Sequence, residues 1–568
     1  MKALYQKIRA LDGKNYGLYK SLAERSWDFG DFVLDFLHVQ GDPYAPASRL
    51  LVRAKLSDLG YASEWGSDFE RRLALSDFLH RRLSHLVQQK YPGKDASVVF
   101  DVAGPEMLVR NSLWIDNGEI RACLQVRLPG EGRKIQAEDA AEILTMVLPD
   151  LVSAGLYFNK ADESRMREHY RVLAERKEIL AQLDSRGLCA FVPDGAVLPR
   201  ASGLSEMPLE GAVKFVAPEE LAVTLNACGR EIRGMGIPKG ITVITGGAFH
   251  GKSTLLQALV RSVFPHVPGD GREGIVVDET ALRVGVEDGR SVRGTDLSMF
   301  VRDLPGGIGT KDFNTLSASG STSEAANLLE AMEAGSRTFL IDEDSSAVNF
   351  LIRDMRVRKL LGDEREPLIP LTDRIRGLAA AGMSFILVAG ACGDYLDIAD
   401  NIVVMANYRA ECAKASVIAG RGSGEGLTGS AEAGKINARP FAAYMEPLQK
   451  FVRPASAVER QVKVKLSGDF LLQIGFLVAD TSRLNTLVDR QQRLGAGFML
   501  LNMLQNAASN ADGQGASAPS VVATAEKLCE TVRNVGFRNL PQGMSREISL
   551  PRAVDIACVA FRLRGAKA

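Results

Sequence analysis

The sequence lacks any apolar run approaching the roughly 20 residues that a membrane-spanning helix requires. Its first residues, Met1–Lys7, contain no hydrophobic core of a secretory signal. Cysteine is scarce, with seven residues scattered over 568 and no C-x-x-C pair, which argues against a zinc site and favours reduced thiols. Basic and acidic residues balance at 69 each, so no global field directs the chain to nucleic acid or to a membrane. We therefore expect a cytoplasmic protein whose charged partners are bound through local patches.

The length of 568 residues is too great for one hydrophobic core, so several domains are expected. All three tryptophans lie before residue 206, which predicts that this part has a core of its own. Strands and helices alternate over the middle of the chain, a pattern typical of α/β architecture with a mostly parallel sheet. The predicted domains are an N-terminal α+β domain over 1–205, a nucleotide-binding core over 206–432 and a smaller C-terminal α+β domain over 433–568.

One stretch fits a phosphate-binding loop in the strand–loop–helix setting that this motif needs. A β-branched run, Ile241–Thr245, ends at a glycine pair, and a helix-forming segment begins after Lys252-Ser253-Thr254. The glycines let successive backbone N–H groups point at phosphate oxygens, Lys252 supplies a charge, and the Ser253 hydroxyl can ligate Mg²⁺. A chance glycine-rich turn is the alternative. The predicted nucleotide-binding residues are Gly246, Gly247, Ala248, Phe249, His250, Gly251, Lys252, Ser253 and Thr254.

A second apolar strand, Thr338–Ile341, ends in Asp342-Glu343. In phosphate-loop enzymes the aspartate at this place holds Mg²⁺ and the following glutamate polarises the attacking water. We therefore predict Glu343 as the catalytic residue and Asp342, with Ser253, as the magnesium ligands. A helix N-cap is the other explanation of an Asp-Glu pair at the end of a strand.

Between these motifs, Leu316–Leu329 is rich in small residues at its start and predicts a helix with Thr322 or Ser323 as its cap. The N-terminus of such a helix presents N–H groups and hydroxyls to an anion. Thr322 precedes Asp342 by an interval close to the one between the signature motif and the Walker B strand of ABC-type ATPases.

Four stretches carry a resemblance to the ABC-class ATPase family, a group of soluble proteins that includes a member involved in mitochondrial RNA processing. They are Gln40–Pro43, Gly247–Thr254, Ala318–Ser323 and Ile341–Asp344. The resemblance implies an ABC-type phosphate-loop ATPase domain flanked by α+β domains, with ATP and Mg²⁺ as cofactors.

The resemblance also implies that two copies close head to tail as a homodimer in the ATP state. Ser319, Gly320 and Ser321 stand where other ABC ATPases have the signature that touches the γ-phosphate of ATP held by the other subunit. Ser346–Asn349 corresponds to the loop that crosses the dimer interface.

The chain departs from the family pattern in two places. Gly390–Asp394 stands where a switch histidine is usual, and no glutamine of the Q-loop can be placed, so Arg302–Gly307 is the expected substitute. Phe215 is the expected adenine-stacking residue, and His250 is expected to be an exposed loop histidine or a polar partner within the loop.

A β-hairpin is predicted from Met107–Ile115 and Ile120–Leu128, which flank the type I′ turn signal Asn117-Gly118. One face of this hairpin carries Arg110, Trp114, Arg121 and Arg127. Arginines with an aromatic on an open sheet face suit single-stranded RNA, although an ordinary solvated face has the same composition.

The leading hypothesis is a soluble ABC-class ATPase that couples ATP hydrolysis at a dimer interface to a conformational change, acting on RNA. Two alternatives remain open. One is an ATP-gated nucleic-acid clamp with negligible turnover, suggested by the absent switch histidine. The other is an ATPase subunit that drives a separate membrane protein.

Overall fold

The structure, a computed structural model of the chain, describes residues 1–565 except 94–96, 303, 305, 306, 308, 355–359, 361–365, 391, 414–437, 454–460, 507–518, 541 and 542. The chain divides into two compact units. The first unit is Met1–Leu173 with Leu528–Leu550, and the second unit is Ala174–Lys527 with Pro551–Ala568.

The helices, in chain order, are α1 Lys2–Arg9, α2 Phe69–Lys90, α3 Ala137–Glu142, α4 Leu148–Leu156, α5 Glu163–Ser185, α6 Lys252–Arg261, α7 Gly320–Glu333, α8 Val348–Leu351, α9 Leu371–Ala380, α10 Asp394–Ile398, α11 Phe441–Gln449, α12 Arg490–Asn506, α13 Val521–Val535 and α14 Ala553–Phe561. Within the described ranges, no single helix is both long and apolar enough to cross a membrane. One bent pair, Ala137–Leu156 with Lys160–Ser185, meets the length and composition criteria together.

The strands, in chain order, are β1 Trp27–Asp28, β2 Val33–His38, β3 Ser48–Lys55, β4 Val98–Val99, β5 Leu113–Asp116, β6 Glu119–Val126, β7 Gly130–Glu131, β8 Lys134–Ile135, β9 Leu188–Pro193, β10 Arg200–Ser202, β11 Ser205–Pro208, β12 Ala222–Ala227, β13 Arg230–Pro238, β14 Ile241–Gly246, β15 Val276–Val277, β16 Leu282–Val284, β17 Val292–Thr295, β18 Phe313–Thr315, β19 Thr338–Asp342, β20 Ser384–Val388, β21 Asn401–Ala406, β22 Arg409–Cys412, β23 Val464–Ser467, β24 Leu471–Ile474, β25 Leu477–Asp480 and β26 Arg564–Gly565.

The first unit contains an antiparallel sheet in the order β1-β2-β3-β6-β4, with β5 also paired to β6. The predicted hairpin turn is confirmed, because Ile115 pairs with Ile120 and both Asn117 and Gly118 have positive φ. Its first strand is shorter than predicted and begins at Leu113. Helix α2 packs on β5 and on α4, and its N-cap Asp68 accepts a hydrogen bond from the backbone N–H of Arg71.

The second unit contains the predicted mostly parallel sheet, which is confirmed in the order β16-β19-β20-β14-β21-β22. Neighbouring strands run parallel from β16 to β21, and β22 returns antiparallel to β21. Strands β19 and β20 are buried along their whole length, as expected for a parallel sheet covered on both faces. Because parallel strands end at one edge, the loops after β14, β19 and β20 are neighbours there.

The division into units differs from the three predicted domains. Strand β9, within the predicted N-terminal domain, pairs with β13 of the second unit, where Phe191 lies opposite Gly236. Phe191 also joins a buried cluster with Ile179 and Val276. The first segment of the first unit therefore ends after Leu173 rather than after residue 205. The boundary predicted after residue 432 falls outside the described residues.

Two four-stranded sheets also belong to the second unit, in addition to the two-stranded pairs β10-β11 and β17-β18. One is β12-β13-β9-β15, and the other is β23-β24-β25-β26, which lies in the predicted C-terminal domain. Helix α12 packs on β23 and β24 and against α14.

Candidate nucleotide-binding site

The phosphate loop lies between β14 and α6, at the edge of the parallel sheet. Gly246 has φ of 135°, and a Cβ there would collide with the carbonyl oxygen of Met405 on the neighbouring strand. Gly251 has φ of 100° and is the N-cap of α6. Both positions therefore require glycine, because a side chain is strained at positive φ. The chain turns here from a buried strand into a helix whose first N–H groups have no partner within the helix.

The Lys252 ammonium is held over this loop, where its Nζ donates to Gly246 O at 2.7 Å and to Gly247 O at 2.9 Å. The charge thus lies beside the positive end of the α6 dipole, which suits a bound phosphate. Along the loop, Gly247, Ala248, Phe249 and Ser253 are exposed, whereas Gly246, His250, Gly251, Lys252 and Thr254 are half-buried.

His250 fastens the phosphate loop to the turn between β21 and β22. Its carbonyl oxygen accepts from Tyr408 N at 3.2 Å, and its Nδ1 lies 3.3 Å from Asn407 N, which donates to it. A Cβ on Gly247 would lie 3.4 Å from the His250 ring. His250 is therefore a polar partner within the loop, and the alternative of an exposed loop histidine is corrected.

Asp342 ends β19, next to β16. Arg283 of β16 places Nη2 3.3 Å from Asp342 Oδ2 and donates to Ser345 Oγ at 3.1 Å. Burial raises the pKa of Asp342, and the nearby Arg283 charge opposes that rise. Arg283 was not predicted as a site residue. Its signal in the sequence is an arginine between two apolar residues of a short strand.

Glu343, the predicted catalytic residue, accepts a hydrogen bond from the backbone N–H of Gly390 at 2.7 Å. Gly390 follows β20, and a Cβ on it would lie 3.8 Å from Lys252 Nζ. The structure therefore brings Lys252, Glu343 and the backbone after β20 together at one edge of the sheet. A backbone donor occupies the region where a switch histidine is usual.

The signature-like segment begins helix α7, with Ser319 as its N-cap. The predicted cap is corrected, because Thr322 shares a hydrogen bond with Ser319 Oγ and Ser323 is fully buried, donating to Gly320 O at 2.7 Å. Ser319 is exposed, while Gly320 and Ser321 are half-buried, so the start of α7 is accessible from outside.

Glu324 connects α7 to the loop after β19. It is fully buried, and its Oε2 accepts from Ala347 N at 2.6 Å. Burial raises the pKa of Glu324 to about 7. The sequence alone does not single out Glu324, because its pattern is that of an ordinary helical glutamate.

The predicted nucleic-acid face is not an open surface. Arg110 and Trp114 are only 3% and 5% exposed. The residues that cover them come from the end of the first unit: Arg110 bridges to Ser549, and a Cβ on Gly536 would lie 2.5 Å from Trp114 Nε1. Arg121 is half-buried and paired with Glu119 at 2.8 Å, and Arg127 is exposed. The expectation of an open face is therefore corrected.

Two other expectations concern the adenine-stacking residue and the substitute for the Q-loop. Phe215 is buried at 2% exposure, with its backbone bonded to Gly195 and Ala196, so it is not available to stack on a base. Half of Arg302–Gly307, the expected substitute for the Q-loop, lies outside the described residues, namely 303, 305 and 306.

A parallel sheet with a phosphate loop, an Asp-Glu strand end and a helix between them defines a P-loop ATPase. Residues 162–463 match the P-loop domain of the ABC ATPase family, and residues 1–159 match the domain described as ATPase of the ABC class, N-terminal. The chain belongs to the ABC-class ATPase family and carries an ATP-binding P-loop ATPase domain.

The chain is similar to an uncharacterized protein of Methanocaldococcus jannaschii, with 27% identity over 287 residues. That similarity covers 48% of this chain and 62% of the relative, so the chain spans less than two thirds of the relative's length. Among solved structures, it is similar to an inward-facing putative metal-chelate type ABC transporter, with 13% identity, coverage of 40% and 83% of the two chains, and a TM-score of 0.25. The ADP conformation of an ATP-binding cassette of an ABC transporter has 12% identity, coverage of 39% and 89%, and a TM-score of 0.24.

Proposed function

We propose that the protein is an ATP-driven clamp in which two copies close head to tail over ATP and separate after hydrolysis. The observation that carries this proposal is the placement of exposed apolar side chains beside the nucleotide motifs. Phe249 within the phosphate loop is 93% exposed. Leu316, just before Ser319, and Val348, in the loop after Asp342, are also exposed. A partner copy that covers these three side chains removes apolar surface from water where the ATP is held.

The accessible start of α7 supports the same arrangement. Its first N–H groups and the Ser319 and Ser321 hydroxyls are donors for an anion. In a head-to-tail pair these donors meet the γ-phosphate on the phosphate loop of the other copy. The γ-phosphate then satisfies donors on both copies, and its loss on hydrolysis removes the link between them.

Within each copy, the residues present fit the chemistry of phosphoryl transfer. Lys252 and the N-terminus of α6 bind and orient the phosphates. Glu343, fixed by Gly390 N–H, accepts a hydrogen bond from the attacking water and directs it at the γ-phosphorus. Asp342 and Ser253 are the residues that would hold Mg²⁺, which neutralises charge on the phosphates when bound.

The proposal is tested with Glu343→Gln, which keeps the size of the side chain but cannot polarise the water. With ATP and Mg²⁺ this variant should elute as a dimer on a sizing column. Lys252→Ala is the matched control and should stay monomeric, since its ATP affinity is lost. Monomeric Glu343→Gln with ATP demonstrably bound would contradict the clamp.

A slow ATP-gated clamp is the second candidate. The observation that favours it is the contact between Glu343 and a backbone N–H, where a histidine side chain would sense the γ-phosphate. Steady-state ATP hydrolysis separates the two candidates, because brisk turnover excludes the slow clamp. Binding of single-stranded RNA forms no part of either proposal, since the hairpin face predicted to bind it is covered within the first unit.

A further inference from the structure

The turn between β21 and β22 has an unusual residue at its second position. Asn407 and Tyr408 have φ of 49° and 65°, so both lie in the left-handed region. Two-residue turns of this kind favour Asn followed by Gly, because a side chain is strained at positive φ. Asn407 fits this preference and Tyr408 does not. Strained residues of this sort cluster at ligand sites, where a side chain is held for use.

Tyr408 lies directly against the phosphate loop. A Cβ on Gly251 would be 3.3 Å from Tyr408 Cδ1, so the ring edge lies beside the N-cap of α6. The turn is fastened to the loop by the two hydrogen bonds on His250, and Gly246 pairs with Met405 in the parallel ladder. The position of the turn is thus fixed relative to the phosphate loop.

The ring remains available to a ligand, since Tyr408 is 56% exposed. A phosphate loop grips phosphates through backbone N–H groups and a lysine, and these contacts do not involve the base. Base recognition requires a separate surface beside the loop. An exposed aromatic ring is such a surface, because nucleobases stack on aromatic side chains.

We propose that Tyr408 stacks on the adenine of bound ATP and supplies the base contact that Phe215 cannot make. The assignment depends on ATP binding at the phosphate loop and not on dimerisation. Phe249 is the other exposed aromatic at this loop, and its φ of 64° is also in the left-handed region. Phe249 lies within the loop itself, and the proposed clamp places it against the second copy.

The test compares a ligand that has a base with one that has none. Affinities for ATP and for inorganic tripolyphosphate, both with Mg²⁺, are measured calorimetrically for the wild type and for Tyr408→Ala. Loss of one base stack should weaken ATP binding by about tenfold or more and leave tripolyphosphate unchanged. Tyr408→Phe should retain the wild-type affinity for ATP. Tyr44→Ala, at an exposed tyrosine of the first unit, is the matched control.

One further variant separates this inference from its alternatives. Lys252→Ala should lose both ligands. The inference would be overturned if Tyr408→Ala bound ATP as tightly as the wild type while Lys252→Ala bound neither ligand. That result would still support nucleotide binding at the phosphate loop. An equal loss of ATP and tripolyphosphate would also overturn the inference, since Tyr408 would then only support the loop.

A direct signal is available from Tyr408→Trp, because all three native tryptophans lie in the first unit. Adenine stacked on the new indole should quench its fluorescence when ATP is added, and tripolyphosphate should not. If ATP binds by calorimetry without changing the fluorescence, the base lies elsewhere.

Discussion

The Glu343 carboxylate accepts a hydrogen bond from the backbone N–H of Gly390, with 2.7 Å between Oε2 and N. Glu343 follows the Walker B aspartate, and Gly390 follows the adjacent parallel strand β20. The carboxylate that we propose directs the attacking water is therefore oriented by the backbone that follows the neighbouring strand. Gly390 orients the Glu343 carboxylate through its backbone N–H and needs no side chain to do so.

Gly390→Pro should lower kcat by about tenfold to a hundredfold, because it removes a hydrogen bond to a charged group worth about 2 kcal/mol. Affinity for ATP should be retained, since the phosphate loop is untouched. Gly390→Ala is the control, as it keeps the N–H and its Cβ meets Lys252 Nζ at 3.8 Å, an ordinary contact. Steady-state kinetics of the two variants check this. Equal kcat in wild type and Gly390→Pro would show that Glu343 does not depend on the donor.

The Arg283–Asp342 contact predicts a shift in the pH dependence of hydrolysis. Burial raises the pKa of Asp342, and Arg283 opposes the rise, so Arg283→Met should raise this pKa further. The proposed Mg²⁺ site requires the ionised carboxylate, so the acidic limb of the kcat/KM profile should move to higher pH. Arg283→Lys should keep the wild-type profile. A downward shift, or tighter Mg²⁺ binding in Arg283→Met, would mean that the arginine competes with the metal.

Glu324 predicts a pH-dependent loss of stability. Its pKa is raised from 4.5 to about 7 in the folded chain, so the folded state binds more protons than the unfolded state between these values. The contribution of Glu324 to the free energy of unfolding is fully present below pH 4.5. It falls by on the order of 3 kcal/mol as the pH rises to about 7. Glu324→Gln should remove this dependence, so its stability relative to wild type should increase over that interval.

Denaturant unfolding between about pH 4.5 and 8 measures the Glu324 effect as a difference between variant and wild type. Glu210→Gln, at an exposed position, is the control and should follow the wild type. If the free energy of unfolding of Glu324→Gln and of the wild type changed with pH in parallel, the pKa of Glu324 would not differ between the folded and unfolded states in this range.

Asn111 holds the segment that covers the hairpin of the first unit. Its buried side chain donates to Gly543 O at 2.7 Å and to Arg546 O at 2.6 Å, and accepts from Ile548 N at 2.9 Å. Asn111→Ala leaves these groups unpaired and should cost about 3 kcal/mol or more. Hydrogen exchange should then rise in residues 543–550 and the fluorescence of Trp114 should shift to the red. Asn226→Ala, at an exposed asparagine, should change neither.

The parts of the site that are local in sequence could be predicted from it. Gly246, Gly251 and Lys252 follow from a short segment, because one strand, one turn and one helix dictate their conformation. The same locality made the Asn117-Gly118 turn predictable. The parallel sheet followed from the alternation of strands and helices, which reflects burial on both faces.

Features that depend on distant chain segments could not be predicted. His250 and Asn407 are separated by 157 positions, and Asn111 and Ile548 by 437, so nothing local indicates either contact. The hairpin face looked open because the residues that cover Trp114 lie at the other end of the chain. The first segment of the first unit ends before the predicted boundary at residue 205 for the same reason, since β9 pairs with β13 rather than with strands before it.

The most direct test of the clamp is complementation between two inactive chains. Lys252→Ala disables the phosphate loop, and Ser319→Arg disables the start of α7. If two copies share each ATP, a mixed dimer has one intact site, built from the loop of one chain and the Ser319 segment of the other. Differently tagged chains, co-expressed and purified through both tags, should recover ATP hydrolysis that neither variant shows alone. Mixed dimers as inactive as the single variants would contradict the shared site, and so would activity in Ser319→Arg alone.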